Sequence, residues 1–469
     1  MTLSRRAAIG LGVGAAGAAV VGGMVGRQWS LDREPPSPAV TDAEGRVLWR
    51  NWSGIASSYP AARAAPESEA ALAELLRTAT APIRPVGAGH SFTALVPTPG
   101  TLLSLDALHG LVDHDAIAHQ ATVWAGTRLG DLGPALVAVG QEMLSLPDIN
   151  KQSLGGAIGT GTHGTGAGYQ AIHGSVKAFR LATARGDILE CSPERNPDIY
   201  AAARVGVGAF GVITQVTLQN RALTRVHKRA YLAPLEEVAA GWPTLLKAHD
   251  KVEFFAFPFS GLAAVIATDQ TDAALKPRGP DQDTETLLSL KRLRDLLGPV
   301  PGLRRHITHA LMAGMPAEES VDDSWKLLSN ERPVRFNEME FHLPREAQMA
   351  ALREVMAEIE RNHNDVFFPL EVRSIAPDDA WLSPFYGRES GSLAIHAYYK
   401  DDYRRLFGAV EPILRRHGGR PHWGKLHTLR ARELAALYPR WQDAMEVRRT
   451  LDPEGRFLNA HLRELFIDG

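Results

Sequence analysis

The 469-residue chain has a single cysteine, Cys191. It can form no intramolecular disulfide, and no thiol cluster is available for zinc or an iron–sulfur centre. Charge of one sign is lacking too: the formal net charge is −2 and the pI about 6.8. That balance argues against a polyanion-binding surface, so nucleic acid is not expected as a partner. The 17 histidines are scattered without HExxH-like spacing, and on spacing no metal is assigned. Internal repeats are absent. Charge is also missing from the stretch Ala7 to Gly26, where 13 of 20 residues are Gly or Ala.

That stretch follows Ser4-Arg5-Arg6 and resembles a twin-arginine export signal, a route for proteins already folded. A run of about 20 apolar residues can also span a bilayer. No A-x-A cleavage site follows, so an uncleaved anchor stays open beside the signal. Both place the protein outside the cytoplasm, exported or membrane-anchored. Gly12-Val13-Gly14-Ala15-Ala16-Gly17 matches GxGxxG, but no strand precedes it. Gly206-Val207-Gly208-Ala209-Phe210-Gly211 matches as well, but a helical segment comes before it and a strand, Val212 to Leu218, after it. Neither is a Rossmann loop, though the second can still touch a cofactor.

Hydrophobic content of 45% and charged content of 22% are those of a globular protein, and the length implies two or three domains. Residues 1–30 are the signal or anchor, and 31–48 a proline-containing linker. Residues 49–222 form a first domain and 223–469 a second, divided near Arg221 to Arg229 where aromatic residues become denser. In the first domain helical spacing at Ala70 to Ala79 and Leu129 to Val139 alternates with short strands at Pro82 to Val86, Thr101 to Leu105 and Ala121 to Ala125. This is an α+β or α/β pattern.

Val86-Gly87-Ala88-Gly89-His90-Ser91-Phe92 sits at the end of the strand Pro82 to Val86. Successive N–H groups in such a turn form a concavity that suits phosphate, and His90 follows at once. A surface turn with an incidental histidine is the bland alternative. Ser153 to Gly166 holds six glycines in fourteen residues, interleaved with Thr160, Thr162 and Thr165. An ordinary helix or strand is not expected there; the run reads as a second wall from which side-chain bulk is excluded by a ligand. Ala273 to Thr286 reads as an exposed loop, and Leu287 to Met315 as helical pieces broken at Pro299-Val300-Pro301-Gly302. Three later clusters carry charge in apolar surroundings. Phe336 to His342 alternates polar and apolar residues, as a strand does. Glu371 and Arg373 are two apart on a strand and share a face. Lys425 follows an aromatic and a glycine in Pro421-His422-Trp423-Gly424-Lys425, where a solvated loop lysine is the simpler reading.

Taken together, these segments resemble the aldonolactone oxidoreductases of the vanillyl-alcohol-oxidase flavoprotein superfamily, with the alditol oxidases among them. The likeness runs from Asn51 to Phe466 and is carried by VGAGHSF (Val86 to Phe92), GTGTHGTG (Gly159 to Gly166) and VGVGAFGVIT (Val205 to Thr214). It continues in EMEF (Glu338 to Phe341), EVR (Glu371 to Arg373), WLSPFYGR (Trp381 to Arg388), PHWGK (Pro421 to Lys425) and LDPEGRF (Leu451 to Phe457). The resemblance implies an α+β fold: a two-subdomain FAD-binding domain and an α+β substrate (cap) domain, whose residues from about 420 to 469 pack back on the flavin side. It implies FAD, bound covalently through His90. Cofactor contacts fall at Val86, Gly87, Ala88, Gly89, His90, Ser91, Phe92, Ser153, Gly156, Gly159, Thr162, His163, Gly164, Thr165 and Ile213. Substrate contacts fall at Ser153, Glu340, Glu371, Arg373, His396, Tyr398 and Lys425. Of these, Glu371 and Arg373 would hold the reacting hydroxyl, and Lys425 would stabilise charge on reduced flavin.

The reaction implied is oxidation of a sugar-1,4-lactone at a secondary hydroxyl, by hydride transfer to flavin. His396-Ala397-Tyr398-Tyr399 favours this over oxidation of a polyol to an aldose with hydrogen peroxide. A flavin-holding module without turnover would require loss of Glu371, Arg373 or Lys425, and all three are present. Oxygen and a membrane or periplasmic carrier both remain open as electron acceptor.

Overall fold

A computed structural model describes Leu31 and residues 33–280, 283–329 and 333–468. The export or anchor reading of residues 1–30 lies outside the described residues. Among the described residues no helix is long and apolar enough to cross a membrane.

The first domain begins with a small parallel sheet. Strands β1 (Ala62–Ala64), β2 (Ile83–Val86) and β3 (Thr101–Ser104) lie in the order β1-β3-β2, with helix α1 (Glu69–Thr78) crossing between β1 and β2. Ser68 caps α1, its hydroxyl accepting from the Ala71 N–H, while Leu72 and Leu76 are buried one turn apart. The second subdomain is a six-stranded sheet. It comprises β4 (Leu111–Asp115), β5 (Gln120–Trp124), β6 (Gln141–Met143), β7 (Val176–Ala182), β8 (Ile188–Cys191) and β9 (Val212–Ala222). Its order is β8-β7-β9-β5-β4, with β6 pairing the far end of β9. Along β9, Val212, Thr214, Val216 and Leu218 are buried and alternate with half-buried residues, the two-residue period of a strand. Helices α2 (Leu129–Val137), α3 (Leu154–Thr160) and α4 (Pro197–Ala203) complete this part.

One expectation fails here. Leu154–Thr160, inside the glycine-rich run, is a seven-residue helix and not an irregular wall. One of its glycines, Gly155, sits close to other backbone: a Cβ there would lie 3.2 Å from the Ala125 carbonyl oxygen.

The chain then enters the second sheet system, and β10 (Arg225–Pro234) follows β9 after two residues. The further elements are α5 (Leu235–Ala248), β11 (Lys251–Phe257), β12 (Leu262–Gln270), α6 (Asp283–Leu297), α7 (Pro301–Ala313) and β13 (Glu318–Asp323). Next come β14 (Phe336–Pro344), α8 (Gln348–Asn362), β15 (Leu370–Ile375), β16 (Ser390–Tyr398), α9 (Tyr403–Arg416) and β17 (Arg420–Pro421). The eight strands form one sheet in the order β13-β10-β12-β11-β15-β16-β14-β17. Helix α6 starts at Asp283, so the segment read as an exposed loop ends earlier than expected.

Strand β14 is buried on both faces. Met339, Phe341 and Leu343 belong to the core with Val355, Ile359, Val410 and Leu414 of α8 and α9. The opposite face carries Glu338, Glu340 and His342, all under 4% exposed. The C-terminal helices α10 (Ala431–Leu437), α11 (Trp441–Leu451) and α12 (Ala460–Phe466) return to the first domain. The Ile83 N–H donates to the Arg456 carbonyl, and the Asn459 amide donates to the Ala94, Leu95 and Pro97 carbonyls.

Arg84 anchors that return. Its guanidinium donates to the carbonyls of Leu95 (2.7 Å), Val207 (2.8 Å), Gly208 (3.0 Å) and Phe457 (2.6 Å). Burial lowers its pKa to about 9, so the site tolerates the charge only because four carbonyl dipoles face it. Replacing Arg84 by methionine strips these carbonyls of their donor. It should cost at least about 3 kcal/mol in chemical unfolding and expose residues 455–468 to proteolysis. An unchanged unfolding midpoint would show that other contacts hold the tail.

Candidate functional site

Two cavities meet at Gln152, which lines both. The first is a cleft walled by the end of β2, the turn after it, helix α3 and the Gly206–Gly211 loop. Val86, Gly87, Ala88, Gly89, His90, Ser91, Ser153, Gly156, Gly159 and Ile213 all line it. The two glycine segments touch: a Cβ on Gly87 would lie 1.9 Å from the Ser153 hydroxyl oxygen. Gly208 has φ +69°, and a Cβ there would lie 2.7 Å from the Pro85 ring.

Among the described residues, no backbone N–H from Gly87 to Ser91 donates to a protein acceptor. A run of unsatisfied amide donors facing a cleft is an anion cradle, and it fits the pyrophosphate of a dinucleotide cofactor. His90 sits at the end of this cradle, stacked on Trp52 at 5.4 Å between ring centroids. Burial, with the nearby charges of Lys425, Arg128 and Lys151, lowers its pKa to about 4. The imidazole is therefore neutral with a lone pair to offer.

The second cavity, about 270 Å³, lies against the polar face of β14, β15 and β16. Strand alternation puts Glu338 and Glu340, Glu371 and Arg373, and Ser392 and His396 on that one face. In register, Glu338 pairs His396, while Glu340 and Glu371 both pair Ala394. Arg373 lies 3.0 Å from Glu371 and 3.4 Å from Glu340. Lys425 reaches in from the loop after β17 and pairs with Glu338. Phe255, Phe257, Phe336 and Phe368 form an apolar wall.

Glu340 is 1% exposed. Burial alone would push its carboxyl up, but His163 and Arg373 outweigh it and hold the carboxyl well below the usual range. His163 Nδ1 lies 2.8 Å from the Gly164 carbonyl oxygen, which can only accept, so Nδ1 carries a proton. Its Nε2 lies 2.9 Å from Glu340 Oε1, and a proton must sit between them. Ser392 also donates to that oxygen. Glu371 is the opposite case. Burial pushes it up to about 8 despite Arg373, and its Oε1 has no partner.

Several site residues lie elsewhere than expected. Phe92 is not in the cleft; it packs in an aromatic cluster with Trp52 and Phe336, under the Lys425 ammonium. Thr162 and His163 line the second cavity and not the cofactor cleft, because α3 ends at Gly161 in a left-handed turn that carries the chain away. Gly164 and Thr165 line neither. The Gly164 N–H donates to Ser145, and Thr165 donates to the Val252 carbonyl. Ser153 lines only the cleft. Tyr398 does not line the second cavity: Phe367 and the Lys291 ammonium claim its ring, leaving His396 as the residue of that strand which does. Sequence reading passed over Gln152, Trp52 and, as a site residue, Glu338. Only Glu338 had a signal: two positions from Glu340 on an alternating strand, it had to share its face.

Residues 216–465 match the family of D-arabinono-1,4-lactone oxidase, and residues 60–192 match an FAD binding domain. L-gulono-1,4-lactone dehydrogenase of Mycobacterium tuberculosis is 36% identical over 89% of this chain and 99% of its own. L-gulonolactone oxidase of Bos taurus is 32% identical over 90% and 98%. Alditol oxidase of a Streptomyces species is 31% identical over 81% and 90%. In fold, the chain is similar to cholesterol oxidase from Brevibacterium sterolicum, with a TM-score of 0.72 at 15% identity over 92% of this chain and 100% of that one.

The raised pKa of Glu371 ties stability to pH. Its folded value exceeds the unfolded one, so its contribution is complete at acid pH and is lost as pH rises through about 8. Melting curves from pH 5 to 9 should fall with pH in the parent and flatten in Glu371→Gln. Equal slopes would mean that the carboxyl is ionised throughout.

Proposed function

The chain belongs to the D-arabinono-1,4-lactone oxidase family, and on that premise we propose that it oxidises a sugar-1,4-lactone of the L-gulono or D-arabinono type at a secondary hydroxyl, with FAD as cofactor. The observation that carries this reading is the single polar sheet face. It presents Glu371, Arg373 and His396 to a cavity that Lys425 completes and that meets the glycine-walled cleft at Gln152. Bound FAD supplies the hydride acceptor.

The chain's own groups do the rest. Burial keeps Glu371 protonated at neutral pH, so its carboxyl can donate to a substrate oxygen. Arg373 is a fixed cation beside it, placed to steady that oxygen as its proton leaves. Lys425 lies where the two domains join: the Phe92 N–H donates to the Gly424 carbonyl at 2.7 Å. The aromatic wall accepts the C–H face of a compact ring, while the polar face sorts its hydroxyls.

His90 carries the FAD covalently in this reading. Its neutral ring stands at the cleft, and no hydrogen bond among the described residues engages it. The protein works outside the cytoplasm, either exported or held at a membrane; the twin arginines and the uncharged run after them support this.

Anaerobic mixing with L-gulono-1,4-lactone should bleach the flavin, with xylitol and sorbitol much slower; a clear polyol preference would reverse the assignment to alditol oxidation. Arg373→Met should lower kcat/KM by roughly 100-fold or more, mostly through kcat. Intact mass after denaturation should exceed the polypeptide mass by one FAD and return to it in His90→Ala. An unmodified parent mass would remove the covalent bond from the proposal.

A further inference from the structure

The second cavity contains a group of side chains that the proposed oxidation does not fully explain. Glu338 on β14, Glu371 on β15 and His396 on β16 come from three adjacent strands. One ligand atom from each lies within 4.8 Å of the other two. No sequence spacing announces this set, because the sheet and not the chain brings the three together.

Each of the three is held by a supporting contact. His396 Nδ1 lies 3.2 Å from the Pro369 carbonyl oxygen, which can only accept. The proton is thereby fixed on Nδ1, and Nε2 is turned toward Glu338 Oε1 at 3.7 Å. Glu338 gives its other oxygen to Lys425. Glu371 gives Oε2 to Arg373 at 3.0 Å, and its Oε1 has no partner. Glu371 is 5% exposed, so that oxygen is buried without a hydrogen-bond partner. An imidazole oriented through its second nitrogen, with carboxylates anchored by neighbouring cations, is the arrangement that supporting contacts produce around a metal ligand set. Leaving the Glu371 oxygen unpaired costs free energy, and a cation would recover it.

We propose that Glu338, Glu371 and His396 form a binding site for a divalent zinc-like cation, which blocks the lactone from its oxidising position. One nitrogen and two carboxylate oxygens form a three-ligand set of the kind that holds Zn²⁺ with a position left open. The cation occupies the place of the substrate hydroxyl and draws on Glu371, so it acts as an inhibitor competitive with the lactone. On coordination the Glu371 carboxyl gives up its proton to solvent, and no other covalent bond changes. The inhibitory consequence rests on the proposed lactone oxidation; the coordination itself does not.

Equilibrium dialysis of the flavin-loaded full chain against Zn²⁺ alone tests the site. One Zn²⁺ per chain should depend on this set. The affinity should fall about 10- to 100-fold in His396→Asn and again in Glu338→Gln. Each variant should first be shown to keep the parent's flavin spectrum and melting transition. L-gulono-1,4-lactone should displace the metal, and Zn²⁺ should raise the apparent KM while leaving kcat unchanged. Equal Zn²⁺ affinity in the parent and in a folded variant overturns the proposal; so does binding that the lactone leaves untouched while it is being turned over. If one variant does not fold, the other decides. If no lactone is turned over, the functional reading fails, and the dialysis still decides whether these three residues hold the metal.

Discussion

The buried carboxylate of Glu340 is the constraint around which the two domains are arranged. An ionised carboxyl removed from water is costly unless it is paired and hydrogen-bonded. Here the partners come from three places. His163 stands on the loop after α3 in the first domain, Arg373 on β15 and Ser392 on β16. His163 can serve only if its loop docks against the second sheet, so satisfying this one charge fixes how the domains meet. His342 and His422 pack edge-on or tilted around His163, and burial keeps both rings well below their usual pKa. Removing one partner would leave the charge uncompensated, and such losses are larger than the value of the pair itself.

The same constraint explains why β14 is polar on one face and yet buried on both. An alternating strand ordinarily turns its polar side to water. In Phe336–Pro344 the polar side turns to the cavity and to the first domain, where Arg373 and Lys425 match its charges and His163 bonds Glu340. Electrostatic groups fixed in a site shielded from water need no reorganisation when charge develops on a substrate. The cost of burying them falls on the fold. Part of it is offset by the apolar face of the same strand, which packs Met339, Phe341 and Leu343 against α8 and α9.

Much of this was legible in the sequence where the signal is local. The strand leading to Gly87, the helices at α1 and α2, the break at Pro301, and the shared face of Glu371 and Arg373 all follow from period and capping. The misreadings arose where neighbours distant in sequence decide. Helix α3 looked too rich in glycine to be helical, but it is a helix, and at Gly155 the Ala125 carbonyl leaves little room for a side chain. Thr162 to Thr165 looked like one continuous cofactor wall, but the left-handed residue Gly161 turns them toward the second domain. Tyr398 follows His396 by two positions and should share its outlook. Phe367 and Lys291 lie far off in the chain and capture its ring instead. Periodicity tells which way a side chain leaves the backbone, and only the assembled fold tells what it meets.

That distinction bears most on Lys425. In sequence it is a lysine in a short loop, where a solvated role is the simplest account. In the structure its loop is clamped on both sides: the Leu426 N–H donates to the Glu338 carbonyl and the Phe92 N–H to the Gly424 carbonyl. The ammonium is held between Glu338 and the Phe92 ring, and its charge reaches His90 closely enough to help keep that imidazole neutral. One cation thus acts on both cavities. It balances the acidic face of the second cavity and disfavours protonation of His90 at the cleft. A lysine free to move in solvent could do neither, since water would screen its field before it reached either group. The placement of the C-terminal segment against β14 and the first domain is therefore part of the site's electrostatics, and Arg84, which ties Phe457 to the turn beside the cleft, helps hold that segment in position.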